Sequence, residues 1–273
     1  MDSQLTTSQF HEAHKLAPVS SRVAPPKTLI LGSDEVHIWR ATLDLNASDV
    51  QDLWQTLSAD ERARAEQFHF QKDRERFIVG RGLLRIILGR YLDTKPENLR
   101  FCYNPQGKPA LAREPGRDGI CFNLSHSDGL ALYAITRRRE VGVDLERIQP
   151  DLAVDEIAEH FFSPREIAML RALPTHMQKE AFFNCWTRKE AYIKARGEGL
   201  TLRLDQFAVS LAPGEPAALL DTKDDPQEAS RWSLRELVPG PGYVAALAAE
   251  GYNWQLRCWD LERQKLEQMT ETG

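Results

Sequence analysis

The sequence predicts an α+β fold made of two similar α/β halves, related by a pseudo-two-fold axis and separated by a cleft. Three observations lead there. Short apolar runs that alternate with period two stand beside longer runs of helical period. The order strand, helices, strands occurs twice along the chain. Two local pairings accompany that repetition: QKDRERFIVGR beside QKEAFFNCWTR, and GLALYAI beside GYVAALA. On this basis the chain divides into an arm over 1–27, halves over 28–147 and 148–259, and a polar tail over 260–273. A cleft between two halves is a natural ligand site.

The arm, MDSQLTTSQFHEAHKLAPVSSRVAPPK, carries Ser, Thr, Pro and Ala rather than a continuous apolar segment. It does not read as a secretory signal, and its composition predicts flexibility. In DEVHIWRATLD, Val36, Ile38 and Arg40 alternate with His37, Trp39 and Ala41, which predicts a partly buried strand. LSADERARAEQF predicts a helix, opened by Ser58 and Glu61 as a capping box. DRERFIVGRGLLRIILGRYL predicts a second helix with Phe77, Leu84, Leu88 and Tyr91 on its apolar face. Arg74, Arg81 and Arg85 fall at i, i+7 and i+11 and form a narrow basic stripe, either solvated or facing an anion. LRFCYN, ICFNLS, LALYAIT and EVGVDLE predict short strands, and the RRR at 137–139 predicts a hairpin tip. In the second half, FSPREIAML predicts a helix with Ser163 as N-cap, Pro164 in the first turn and Glu166 three residues on. The helix containing WTRKEAYIK follows, then strands around FAVSL, RWSLREL, GYVAALAA and WQLRCW, and a polar tail.

Composition narrows the function classes. With 42% hydrophobic and 27% charged residues, the chain is an ordinary soluble globular protein. Its formal charge of -5 provides no global field for nucleic acid or anionic lipid. No run approaches the ~20 apolar residues of a membrane span. Cys102, Cys121, Cys185 and Cys258 are widely spaced and include no C-x-x-C. That pattern predicts reduced, mostly buried thiols in a cytoplasmic protein rather than a disulfide framework or a zinc site.

Chemistry concentrates in a few segments. VGVDLE alternates strictly, so Val141, Val143 and Leu145 face one side and Gly142, Asp144 and Glu146 the other. Two like charges side by side destabilise each other unless a cation sits between them or one is protonated. Oxygen ligands without a His or Cys cluster favour Mg²⁺, although a solvated edge strand has the same pattern. In WTRKEAYIKARGEGL, Trp186 and Ile193 share an apolar arc with Phe182. Lys189 projects from that same arc, with Glu190 and Lys194 along its edge. Either the Glu-Lys pair is a surface pair, or these charges meet something polar held against the helix. If the helix packs beside VGVDLE, Glu190 becomes the third carboxylate, and Lys189 and Lys194 partner the site or a phosphate. NLSHSDG places Ser125, His126 and Ser127 at a strand end without the glycine-flanked elbow of a nucleophilic serine. His126 there is either a hydrogen-bonded structural residue or a phosphate ligand. YNPQGKPAL is a turn that presents Lys108, held by Gly107 and Pro109.

Together these segments resemble the 4'-phosphopantetheinyl transferases of the larger, surfactin-synthetase-activator type. The resemblance rests on GKPAL, FNLSHS, GVDLE, FSPRE and WTRKEAYIKARGEGL in that order, and covers roughly Trp39 to Leu211. It implies a duplicated transferase fold with coenzyme A between two subdomains. It also implies that Asp144, Glu146 and Glu190 hold Mg²⁺ together with the coenzyme A pyrophosphate. Lys194 is implied at the phosphates, and Glu190 or a metal-bound water in deprotonating the acceptor serine. Lys108, Pro109, Ser125 and His126, with Arg76, Arg81 and Lys189, are implied on the coenzyme side. The family's FSxxE acid corresponds to Glu166, which the capping box explains equally well. The implied reaction is Mg²⁺-dependent transfer of phosphopantetheine from coenzyme A to a serine of an acyl or peptidyl carrier protein of fatty acid, polyketide or peptide synthesis. Adenosine 3',5'-bisphosphate is released. An internally duplicated chain already contains its own interface, so a monomer is expected.

Two other functions use similar residues. A metal-dependent nuclease combines two acids with a Glu and a Lys, but its E-x-K lies on a strand and the -5 charge disfavours DNA. A non-catalytic module that binds coenzyme A or a carrier protein has no need of three acids.

Overall fold

Eleven strands and six helices form among the described residues, which in this computed structural model are 25–26, 28–112, 119–223, 225 and 227–261. The expected arm over 1–27 lies outside them except for Pro25 and Pro26. The expected tail lies outside them beyond Leu261.

The first part of the chain runs β1 (Glu35–Thr42), α1 (Ala47–Thr56), α2 (Ala59–Glu66) and α3 (Gln71–Leu92). A 3-10 turn at Pro96–Asn98 leads to β2 (Phe101–Tyr103), β3 (Pro109–Leu111), β4 (Ile120–Ser127) and β5 (Leu130–Arg137). The order then recurs, with some additional 3-10 turns: β6 (Val141–Arg147), α4 (Val154–Phe161), α5 (Pro164–Ala172) and α6 (Thr175–Arg196). A 3-10 turn at Leu204–Gln206 leads to β7 (Phe207–Val209), β8 (Leu219–Thr222), β9 (Trp232–Leu237) and β10 (Tyr243–Glu250), and β11 (Gln255–Leu261) closes the chain. Helices α1 and α4 and strands β3 and β8 are additions to the elements expected from sequence. They are short, eight to ten residues for the helices and three to four for the strands, although Val154, Ile157, Ala158 and Phe161 do carry a helical spacing in α4.

Sheet membership crosses the expected boundary at 147/148. Of four sheets among the described residues, the two larger have the orders β11-β1-β5-β4 and β6-β10-β9, and β2-β3 and β7-β8 form two small ones. Strand β6 therefore pairs within the later part of the chain, and β11 returns to lie parallel to β1. The arginine triplet at 137–139 is a crossover between the sheets rather than a hairpin tip, because β5 and β6 share no ladder.

Three apolar clusters follow from strand alternation. Trp39, Ala41, Tyr133 and Ile135 face α1–α3. Val244, Ala246 and Ala248 face α6. Val36, Ile38, Leu132, Ala134, Val141, Val143, Leu145, Ala245 and Leu247 form a third cluster that joins the two sheets. Strand β1 is thus buried on both faces, not on one as its mixed composition suggests. His37 satisfies its polar ring there by a 2.7 Å hydrogen bond with the Tyr91 hydroxyl.

The basic stripe on α3 divides: Arg74 is exposed, whereas Arg81 and Arg85 are buried. Arg85 is 1% exposed, and its guanidinium donates to the Glu61 carboxylate at 2.6 Å and to the Pro96 and Leu99 carbonyls at 2.9 and 3.1 Å. The capping box predicted at Ser58 and Glu61 is present, so Glu61 both caps α2 and neutralises Arg85. All four cysteines are free thiols, and Cys102 is exposed.

Candidate active site

The apolar side of β6 is committed to the third cluster, which leaves Gly142, Asp144 and Glu146 facing α6. At Gly142 the helix comes so close that an added Cβ would lie 2.1 Å from the Ala191 carbonyl oxygen and 2.3 Å from the Ala195 nitrogen. This contact seats α6 directly on the strand. Trp186, Glu190 and Lys194, spaced four apart, share the helix face that meets the carboxylates.

These elements enclose a cleft of about 550 Å³ lined by Leu124, Ser125, His126, Asp144, Glu146, Trp186, Glu190 and Lys194. Strand β4 forms its other wall. Asn123, Ser125 and Ser127 alternate toward β6: the Val143 N–H donates to the Asn123 side chain at 2.8 Å, and Ser127 donates to Glu146 at 3.0 Å. Ser125 donates to the Asp144 Oδ1 at 3.0 Å, and Lys194 Nζ donates to that same oxygen at 2.6 Å and to Ser125 Oγ at 3.0 Å. Side chains of the FNLSHS strand thus link the two sheets where a backbone ladder is missing.

The electrostatics describe crowded negative charge. Burial, together with the Asp144 charge, raises the Glu146 carboxyl above its ordinary pKa, against the pull of Ser127 and Lys194. Burial also raises Glu190; the charges of Asp144 and Glu146 add to this and Lys194 opposes it. His126, at the cleft mouth, is lowered by partial desolvation and by the Lys194 and Arg76 charges.

Among the described residues no group of three or more His, Cys, Asp or Glu side chains is arranged to hold a metal ion by itself. The donor set still suits a hard cation that takes further oxygens from a phosphate ligand. Asp144 Oδ2 is buried without a hydrogen-bond partner, and Lys194 already places a positive charge on the other oxygen. A second cavity of about 260 Å³ shares Leu124 and His126 with the first. It is lined by Arg64, Arg76, Arg81, Phe68, Phe77, Tyr103 and Pro109 as well, a cationic and aromatic wall.

The expected site residues separate into three groups. Asp144, Glu146, Glu190, Lys194, Ser125 and His126 come together in the cleft. Arg76, Arg81 and Pro109 line the adjoining cavity, with Arg76 held bidentately by Asp44 at 2.7 and 2.8 Å and Arg81 paired with Glu61 at 3.2 Å. Lys108 and Lys189 are elsewhere. Lys108 Nζ donates to the Ala195 carbonyl at 3.1 Å, near the C-terminal end of α6, and pairs with Glu140 at 3.3 Å. Lys189 is fully buried against Glu166 at 2.8 Å, which corrects its expected place on the coenzyme side. Sequence reasoning named Ser127 beside Ser125 and His126 without giving it a role, and missed Arg64, Phe68 and Tyr103. Ser127 was legible from its alternation with Asn123 and Ser125; the other three belong to separate elements with no shared pattern.

Comparison with known proteins accords with this geometry. A family profile described as the 4'-phosphopantetheinyl transferase superfamily matches residues 140–248, and one described as 4'-phosphopantetheinyl transferase, N-terminal, matches 41–137. The chain is 47% identical over 234 residues to the 4'-phosphopantetheinyl transferase HetI of Nostoc sp., covering 86% of this chain and 95% of the relative. It is 30% identical over 193 residues to the 4'-phosphopantetheinyl transferase Sfp of Bacillus subtilis, covering 71% and 82%. It is 36% identical over 178 residues to the 4'-phosphopantetheinyl transferase psf-1 of Bacillus pumilus, covering 64% and 73%. The chain belongs to the 4'-phosphopantetheinyl transferases, in their larger, Sfp-like type.

Proposed function

We propose that this enzyme moves 4'-phosphopantetheine from coenzyme A to the serine hydroxyl of an apo acyl or peptidyl carrier protein, with Mg²⁺ and with release of adenosine 3',5'-bisphosphate. One observation carries the reading. Asp144, Glu146 and Glu190 line one cleft with Lys194, and an arginine-lined aromatic cavity opens beside it.

Displacement at phosphorus needs positioning and charge neutralisation more than covalent chemistry. Asp144, Glu146 and Glu190 would hold Mg²⁺, which supplies positive charge to a pyrophosphate when bound. Lys194 is placed to follow the phosphate once its own carboxylate partner is neutralised. Glu190, on the cleft wall beside Asp144 and Glu146, suits the role of proton acceptor for the serine hydroxyl. His126, which lines both cleft and cavity, and Arg76 and Arg81, which line the cavity, suit the 3'-phosphate end of the coenzyme. Ser125 orients Asp144 and Lys194 through its two hydrogen bonds.

The recurring element order supports a duplicated chain whose halves supply one another's interface. We therefore read it as a cytoplasmic monomer, and a stable dimer by light scattering at micromolar concentration would oppose that. Among the described residues no helix is long and apolar enough to cross a membrane. Intact mass of an apo carrier protein after incubation with the enzyme, coenzyme A and Mg²⁺ tests the reaction. Gain of one phosphopantetheine is the expected result. An unmodified carrier, or a bound but unreacted complex, would overturn the reading in favour of a binding module.

A further inference from the structure

Lys189 and Glu166 are both 0% exposed, and neither reaches the cleft. The Glu166 carboxylate closes the capping box of α5, accepting from the Ser163 N–H at 2.8 Å, and also accepts from the Val209 N–H at 2.8 Å. Lys189 Nζ meets that carboxylate and donates to the Leu204 and Phe207 carbonyls at 2.7 and 2.6 Å. Its ammonium also lies 4.2 Å from the centre of the Phe207 ring.

The first half contains the same device. Glu61 closes the capping box of α2 and pairs with Arg85, which donates to the Pro96 and Leu99 carbonyls. Each carbonyl pair is separated by three positions and borders a 3-10 turn. Arg85 lies in a 22-residue helix that starts at Gln71, and Lys189 in a 22-residue helix that starts at Thr175, so both occupy the fifteenth position. The next residue differs: buried Ile86 follows Arg85, whereas Glu190 follows Lys189. A device retained where no acid follows it works on the helix itself.

We infer that the Lys189–Glu166 pair is a rotational pin, a positioning element that fixes α6 about its axis so that Glu190 and Lys194 meet Asp144. On one side the helix is held by this pair, and on the other by the close backbone contact at Gly142. Side-chain tips lie ~5–6 Å from a helix axis, so a rotation of about 10° moves them by about 1 Å. A misplacement of that size costs about 100-fold in rate. The inference rests on the proposed reading of Glu190 and Lys194 as the reacting machinery.

The test compares Glu166→Gln/Lys189→Met, which removes both charges while keeping size, with Lys189→Arg, which copies the cation of the first half. Thermal melts establish folding, calorimetry gives coenzyme A affinity without turnover, and intact mass gives the rate of carrier modification. For the double variant we expect coenzyme A affinity within about twofold of wild type and kcat at least about tenfold lower. Lys189→Arg is expected to recover most of the rate. A tenfold loss of coenzyme A affinity would make Lys189 a phosphate ligand instead. Unchanged kcat in a folded double variant would reduce the pair to a stabilising contact, and failure of both variants to fold would make it part of the core. Each of these results overturns the inference. A wild-type enzyme that does not modify the carrier would instead overturn the proposed reaction, so the two failures are distinguishable.

Discussion

Replacing Gly142 by alanine inserts one methyl group into the contact that seats α6 on β6. The new Cβ would lie 2.1 Å from Ala191 O and 2.3 Å from Ala195 N, both backbone atoms that no rotamer change can remove. Restoring van der Waals distance requires the helix or strand to move by on the order of 1 Å. Overpacking of this kind costs about 1–3 kcal/mol, which lowers Tm by several degrees in a chain of this size. The catalytic cost is expected to be larger. Ala191 and Ala195 directly follow Glu190 and Lys194, so the same movement withdraws both from Asp144. A 1 Å withdrawal predicts about a 100-fold loss of kcat. Gly80→Ala is the control for stability: its Cβ meets only Leu43 Cδ2 at 3.9 Å, and removing a mid-helix glycine stabilises by about 0.5–1 kcal/mol. Thermal melts and the carrier-modification assay measure both quantities. Wild-type turnover and Tm in Gly142→Ala would refute the claim that this backbone contact sets the site.

Three further outcomes follow from the geometry. Asp144→Ala should abolish transfer while leaving the fold intact by circular dichroism, because it relieves the repulsion that raises Glu146 and Glu190; near-normal turnover would remove Asp144 from the site. Raised carboxyl pKa values mean that the metal-free folded state holds protons the unfolded state has released, so stability present below about pH 4 is lost as pH rises through the raised pKa values. Glu190→Gln should flatten that slope in Tm against pH, and identical slopes would contradict it. His126→Ala should weaken coenzyme A about tenfold more than its 3'-dephospho form, since a charge-assisted hydrogen bond contributes about 1.5–3 kcal/mol; equal losses in calorimetry would place His126 off the 3'-phosphate.

Much of the site was legible because it depends on local periodicity. Period-two alternation in VGVDLE separated the carboxylates from the valines, and the structure keeps that division. Helical spacing likewise put Glu190 and Lys194 together along one edge of the apolar arc, and both line the cleft, where Trp186 joins them although it was assigned to the apolar arc itself. Contacts between distant segments were not legible. Nothing in the sequence said that β6 would pair with β10 or that β11 would return to β1, since both depend on long-range packing of apolar faces. Glu166 illustrates the limit well. Its capping box was legible because Ser163 is three residues away, but its pairing with Lys189 bridges two helices. Without that partner Lys189 looked like one more cation for the coenzyme. Whether Arg85 met water or an anion stayed open for the same reason, because Glu61 belongs to a different helix.

The central claim is that Glu190 belongs to the reacting centre and not to an ordinary helix surface. Glu190→Gln keeps shape and hydrogen-bonding capacity while removing the negative charge and the basicity. The direct measurement is single-turnover modification of an apo carrier protein, with saturating coenzyme A and a series of Mg²⁺ concentrations. The account predicts a fall of at least about 100-fold at limiting Mg²⁺, in a protein whose Tm is unchanged or slightly higher. Wild-type rates for Glu190→Gln at limiting Mg²⁺ would contradict it.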